Sequence, residues 1–130
     1  MKRFLRAWGP ALLWAALIFT LSSRSRVPGP DFPNSDKVAH FGAYAILGLA
    51  LAYGAARSGA APLWMIVLGS LYGASDEVHQ SFVPGRSPDV ADWVADSAGA
   101  IVGVLAFQLI HSRRRVRGGT APADADSAHL

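Results

Sequence analysis

A chain of 130 residues holds one domain's worth of sequence, and this one is just over half apolar with only 16% charged residues, against about a quarter in ordinary soluble domains. It contains no cysteine, which excludes a disulfide framework, a thiol nucleophile and a thiolate metal site. The net charge of +3 does not point to nucleic acid, because the basic residues sit in short flanks of apolar segments, the pattern that sets membrane topology.

Stretches free of Asp, Glu, Lys and Arg lie between Arg6 and Arg24, Lys37 and Arg57, Arg57 and Asp76, and Asp96 and Arg113, each 16 to 19 residues long. A helical crossing of a bilayer needs about 20 mainly apolar residues, so with a few flanking polar residues all of them are long enough. A soluble bundle would need amphipathic stripes, and Ala7 to Leu21 offers no polar face. The expected fold is therefore all-α: an integral membrane bundle of four transmembrane helices, at about 9–22, 36–56, 63–82 and 88–112.

In chain order, Met1 to Arg6 is basic and Trp8 follows at the expected interface. Pro10 is tolerable in a first helical turn, where its missing N–H matters little. This opening resembles a signal peptide, but Leu21-Ser22-Ser23-Arg24 is a poor cleavage site and further spans follow, so the segment is expected to remain as a span. Val27 to Pro33, with its prolines and glycine, is a loop, and Asn34-Ser35-Asp36 supplies capping side chains for the second helix. Arg57 to Pro62 is a short turn, which makes the second and third helices antiparallel neighbours. The third is stopped near Pro84-Gly85. Ser87-Pro88-Asp89 then reads as N-cap, first-turn proline and acidic residue on the positive helix end. The tail, 113–130, opens with arginines, turns to Gly, Ala, Asp and Ser, and is expected to be a disordered cytoplasmic segment.

Lys and Arg counts orient the spans. Lys2, Arg3, Arg6, Arg57, Arg113, Arg114, Arg115 and Arg117 fall on one side; Arg24, Arg26, Lys37 and Arg86 fall on the other. Both termini should then be cytoplasmic, with the loops at Ser23–Ser35 and Val83–Ser87 outside. Gly69-Ser70-Leu71-Tyr72-Gly73 and Gly99-Ala100-Ile101-Val102-Gly103 are small-residue patterns that favour tight packing of the third and fourth helices.

This topology gathers the polar residues at the outer face. At about 100° per residue, Asp36, His40 and Tyr44 follow one another at about 40° steps, Asp76, Glu77 and Gln80 fit within about 100°, and Asp89, Asp92 and Asp96 within about 60°. His79 points away from Glu77 and suits a headgroup or loop contact. Asp89 needs no role beyond capping, Lys37 can snorkel to water, and Asp36 or Asp92 can pair with Arg86. An aspartate costs about 2.5–3.5 kcal/mol at a bilayer centre, less near the interface. Asp96, two turns in, and the adjacent Asp76 and Glu77 are therefore the residues hardest to explain as structure alone.

Asp36-Lys37-Val38-Ala39-His40-Phe41, with Tyr44, then Asp76-Glu77, Gln80, Phe82, Pro84 and Arg86, then Ser87, Asp92, Asp96, Gly99 and Gly103, resemble the VanZ-like membrane protein family over about Trp8 to Ile110. The sequence departs at Asp96, where family members often carry Asn, an amide that hydrogen-bonds without charge. The resemblance implies a multi-pass protein of the bacterial cytoplasmic membrane, in a family associated with resistance to the glycopeptide teicoplanin.

Two functions suit these residues. One is recognition of a lipid headgroup or a lipid-linked cell-wall precursor, with Asp36, His40, Tyr44, Gln80, Arg86 and Asp96 as binding residues; Arg86 would clamp a phosphate or carboxylate by its paired N–H donors. The other is a membrane hydrolase acting on a lipid-linked phosphate, with His40, Asp76, Glu77 and Asp92 as catalytic candidates. Acid–base work by Glu77 and His40 would serve. So would a divalent cation held by Asp76, Glu77 and Asp92, with His40 as a nitrogen ligand. A transporter fits least, because the inner halves of the helices lack acidic residues. Expected partners are membrane lipids and such a precursor, not nucleic acid; the oligomeric state, a homo-oligomer included, is open.

Overall fold

The computed structural model describes residues 1–118, which form four helices and, among the described residues, no strand: α1 (Lys2–Ser22), α2 (Ser35–Ser58), α3 (Pro62–Gln80) and α4 (Val90–Gly118). Three of them, α1, α2 and α4, are long and apolar enough to cross a membrane. The 19-residue α3 carries Asp76, Glu77, His79 and Gln80 in its last five positions.

The helix ends differ from the sequence expectation in an instructive way. α1 begins at Lys2 rather than near Gly9, and α4 continues through 113–118 instead of stopping at Ser112. Charge gaps mark where apolar surface ends, and a helix can run past that point into polar surroundings. The rest of the expected tail, 119–130, lies outside the described residues. Pro10 consequently sits inside α1, where its ring removes the bond that the Arg6 carbonyl would accept. α2 opens without a side-chain capping bond; Asn34 instead adopts a left-handed backbone at φ 61°. It closes on Gly59, whose φ of 77° suits a residue without Cβ. α3 ends two residues before Phe82, and α4 starts two residues after Pro88. The cap of α4 is Asp89, not Ser87: its Oδ1 accepts the Ala91 N–H at 2.9 Å.

Small residues decide the packing, since apolar area gains nothing against acyl chains. A Cβ at Gly48 would collide with the Ala100 carbonyl, one at Gly99 with the Phe41 carbonyl and one at Gly103 with the Ala45 carbonyl. The closest backbone approach is thus between α2 and α4. α3 and α4 do pack together, but the glycines of the two patterns do not face each other. Gly69 and Gly73 of α3 face α4, 2.8 Å and 2.9 Å from the Cβ atoms of Ala100 and Asp96 for a Cβ built on each, whereas Gly99 and Gly103 face α2. α4 uses two faces, one against α2 and one against α3, and α2 packs against all three other helices.

α1 lies against this core through the Trp8 ring on Gly54 and two interhelical bonds: Trp14 Nε1 donates to the Ala43 carbonyl at 2.8 Å, and Tyr72 Oη to the Ala15 carbonyl at 2.7 Å. Buried Ala11, Ile18, Tyr44, Leu47, Leu51, Met65 and Val104 fill the centre. Leu13, Leu63, Leu71, Leu105 and Ile110 remain exposed, an outer surface suited to lipid rather than water.

Helices consecutive in the chain run in opposite directions, so α2 and α4, the closest pair, run the same way. The C-terminal ends of α1 and α3 and the N-terminal ends of α2 and α4 meet at one end, tied by bonds such as Ser22 to Asp76 and His40 to Asp96. Every acidic side chain among the described residues, from Asp31 to Asp96, belongs to this end. The short α2–α3 turn lies at the other, beside Gln108, His111 and Arg115.

Candidate functional site

The outer layer of the polar end is organised by Lys37, one turn into α2. Its Nζ lies 3.1 Å from Asp36 Oδ2, 3.0 Å from Asp89 Oδ2 and 3.2 Å from Asp92 Oδ1. One ammonium with three donors is thereby fully used. It joins the start of α2 to the start of α4. The capping bond from Ala91, together with this ammonium, holds the Asp89 carboxyl below the usual aspartate range. The Asp89 backbone N–H in turn donates to Glu77 Oε2 at 2.7 Å, which fastens α3 to the entry of α4.

Beneath that layer sits His40, one turn further along α2. Its Nδ1 is 2.8 Å from Asp96 Oδ1, and its Nε2 is 3.7 Å from Asp92 Oδ2. An ionised Asp96 can only accept, so this contact places a proton on Nδ1 and orients the ring. Asp96 is 0% exposed and Glu77 8%. Asp96 Oδ2, Glu77 Oε1 and Tyr44 Oη are buried without a hydrogen-bond partner among the described residues. One ligand atom each from His40, Glu77 and Asp96 lie within 4.8 Å of one another. Such orphaned groups are uncommon in folded proteins and call for an explanation.

A third set surrounds Asp76, whose Oδ2 accepts from Ser22 Oγ at 2.9 Å and from Gln80 Nε2 at 3.4 Å. Both partners are buried. A cavity of about 500 Å³ opens over these layers. Ile18, Leu21, Val27, Pro28 and Ala43 give it an apolar wall; Asp36, His40, Tyr44, Asp76, Gln80 and Arg86 give it a polar one. Arg86 has no ion-pair partner among the described residues.

Asp36, His40, Tyr44, Asp76, Gln80, Arg86 and Asp92 all line this one cavity, while Glu77 and Asp96 lie behind its wall. Asp96 therefore touches the space through His40 and not directly, unlike the expectation for a binding residue. The tight ligand-atom cluster contains Asp96 where the sequence offered Asp76 and Asp92, because Asp76 is taken by Ser22 and Gln80, and Asp92 by Lys37. The expected pairing of Arg86 with Asp36 or Asp92 is replaced by Lys37, which does not snorkel to water. His79 stacks on Phe19 of α1 with ring centroids 4.3 Å apart and reaches Ser23 Oγ at 3.4 Å. Ser22 is the member that sequence reasoning missed, and Lys37, placed in the cluster but expected to reach water, is instead its outer clamp. Nothing in the sequence marks Ser22, whereas Lys37 stands directly beside Asp36.

Fold and site together define a helical membrane protein with a layered acid–imidazole cluster under a cavity at one end of its bundle. The VanZ/LLP1 family matches residues 7–111, and the chain belongs to that family. A Schizosaccharomyces pombe relative, "Uncharacterized protein C11E3.10", is 32% identical over 110 residues, covering 79% of this chain and 68% of the relative. A relative of this chain thus occurs in a eukaryote. No solved structure matches the chain.

Proposed function

We propose that this protein recognises the phosphate-bearing headgroup of a membrane lipid in the cavity at its polar end. The observation that carries this reading is Arg86: it lines the cavity and its guanidinium has no partner among the described residues, while Lys37 takes up the three aspartates nearest to it. A guanidinium in that position suits bidentate contact with a phosphate, and the apolar wall of Ile18, Leu21 and Val27 suits the lipid's first methylenes. A volume of about 500 Å³ falls within the range of small-ligand sites, about 300–1,000 Å³. A relative in fission yeast favours a phospholipid over a ligand confined to bacterial walls. A lipid-linked wall precursor offers the same phosphate chemistry, and its sequestration would account for a link to teicoplanin resistance.

In this reading the chain crosses the membrane four times, with both termini cytoplasmic and the cavity facing outward. The excess of Lys and Arg at the α2–α3 turn and the two termini supports that orientation. In a bacterial cell the membrane would be the cytoplasmic one.

A second reading is favoured by the His40–Asp96 contact, which resembles an oriented general base. Here His40 takes a proton from water, the water oxygen bonds to phosphorus, and the phosphorus–oxygen bond to the leaving alcohol breaks, that alcohol recovering the proton.

Binding titrations in nanodiscs separate these readings. A fluorescent anionic phospholipid and a polyprenyl pyrophosphate are each titrated into wild type, Arg86→Ala and Glu77→Gln. Headgroup recognition predicts that Arg86→Ala weakens binding by about tenfold or more, as expected for a lost charge-assisted pair, and that Glu77→Gln binds nearly as wild type. Equal binding by Arg86→Ala would overturn it. Release of phosphate or alcohol by wild type, abolished by His40→Ala, would establish the hydrolase.

A further inference from the structure

Three acids at the polar end share the Lys37 ammonium; the buried Asp76, Glu77 and Asp96 do not, and of these Asp76 is met by Ser22 and Gln80. Asp96 and Glu77 lie on facing helices, both more than nine-tenths buried, and among the described residues neither touches Lys or Arg. Among those residues the imidazole of His40 is the basic group beside them. Each carboxylate uses one oxygen: Asp96 Oδ1 with His40 and Glu77 Oε2 with the Asp89 N–H. Each leaves the other oxygen buried and unpartnered. Two buried carboxylates against one imidazole are undercompensated, a costly arrangement in low dielectric.

We propose that His40, Glu77 and Asp96 bind a divalent first-row metal ion, of the Mn²⁺ or Zn²⁺ type, behind the wall of the cavity. Two carboxylates and one dication balance in charge. An imidazole nitrogen with two carboxylate oxygens is a donor set that suits these ions better than Ca²⁺ or Mg²⁺, which prefer oxygen alone. The geometry is close to what an ion requires. Ligand atoms around a tetrahedral ion at about 2.1 Å stand about 3.4 Å apart, and the three here lie within 4.8 Å. Side-chain shifts that bring the farthest pair together by about 1.4 Å therefore close the set. Three protein ligands leave a coordination position open, and His40 lines the cavity. An ion on Nδ1 would displace the proton now shared with Asp96 to Nε2, where Asp92, 3.7 Å away, stands in the place of the outer partner of a metal-bound histidine. The site stands independently of headgroup recognition, because it is defined by the metal alone.

The full chain, purified in detergent, is stripped with chelator, dialysed separately against Mn²⁺ and Zn²⁺, and analysed for metal per protein. Wild type is expected to hold one equivalent of at least one ion. Glu77→Gln, Asp96→Asn and His40→Ala should each weaken binding by about tenfold or more, while Asp31→Asn, an exposed acid of the same end, binds as wild type. Pulsed electron paramagnetic resonance of Mn²⁺-loaded wild type should show coupling to one imidazole nitrogen, a readout that needs no variant to fold. Substoichiometric metal in wild type would overturn the proposal, as two carboxylates sharing a proton would produce. So would a bound ion without nitrogen coupling, or equal loss in Asp31→Asn, which would mark a diffuse acidic surface. Failure of the site leaves the Arg86 titration untouched, and the reverse also holds.

Discussion

Lys37 joins Asp36, Asp89 and Asp92 across two helices, so its removal leaves acids of α2 and α4 facing one another. Lys37→Met should lower the melting temperature in detergent by several degrees, and clearly more than Arg86→Met, whose guanidinium supports no ion pair. Equal shifts would show that the Lys37 network carries no stability. Asp89 is held below the ordinary aspartate range by its cap and by Lys37. Its stabilising share is therefore complete above the unfolded value of about 3.9 and is lost as pH falls through the lower folded value. Stability should be insensitive to Asp89 from about pH 5 upward. Asp89→Asn, which can still cap, should melt closer to wild type than Asp89→Ala. Most cavity residues were legible in the sequence, because helical spacing puts Asp36, His40 and Tyr44 on one face, and Asp76 and Gln80 on another. The partners of Lys37, which lies outside the cavity wall, were not, since spacing gives a direction for Cβ but not where a four-carbon stem ends. The pairing of His40 with Asp96 was hidden for a related reason: angles around one helix say nothing of depth against another.

The number of helices was written in the charge gaps, and their ends were not. α1 and α4 continue into basic flanks because nothing there breaks a helix, whereas α2 stops at Gly59 because a left-handed residue ends it. The glycines show the same limit. Their spacing announced close contact, but only the structure shows that Gly99 and Gly103 serve α2 while Gly69 and Gly73 serve α4. Gly103→Val and Gly99→Val would drive side chains into carbonyls that cannot yield, and each should destabilise by about 2 kcal/mol or more. Gly42→Ala, with nothing within 4 Å of its Cβ position, should be neutral or gain up to about 1 kcal/mol from helix propensity. Reversible unfolding in detergent measures both; a tolerated Gly103→Val would mean that α2 and α4 do not approach as described.

At the scale of the whole molecule, one bundle end carries the acids of the described residues and the other most of the arginines, and a cavity exists only because faces of all four helices converge. That convergence lay beyond sequence reasoning, which places side chains on faces without showing that the faces meet. The absence of cysteine makes the topology directly testable with single introduced thiols. A membrane-impermeant maleimide applied from outside should label Ser25→Cys and Ser87→Cys and spare Ser58→Cys and Ser112→Cys. Labelling of Ser58→Cys together with Ser87→Cys would contradict four spans. The central claim, that the polar end holds a phosphate-bearing lipid through Arg86, is tested most directly by native mass spectrometry of protein released from membranes. Wild type and Arg57→Ala, altered at the opposite end, should retain one lipid of phosphate-containing mass, and Arg86→Ala should lose it. A wild type without bound lipid, or an Arg86→Ala protein that keeps it, would contradict the account.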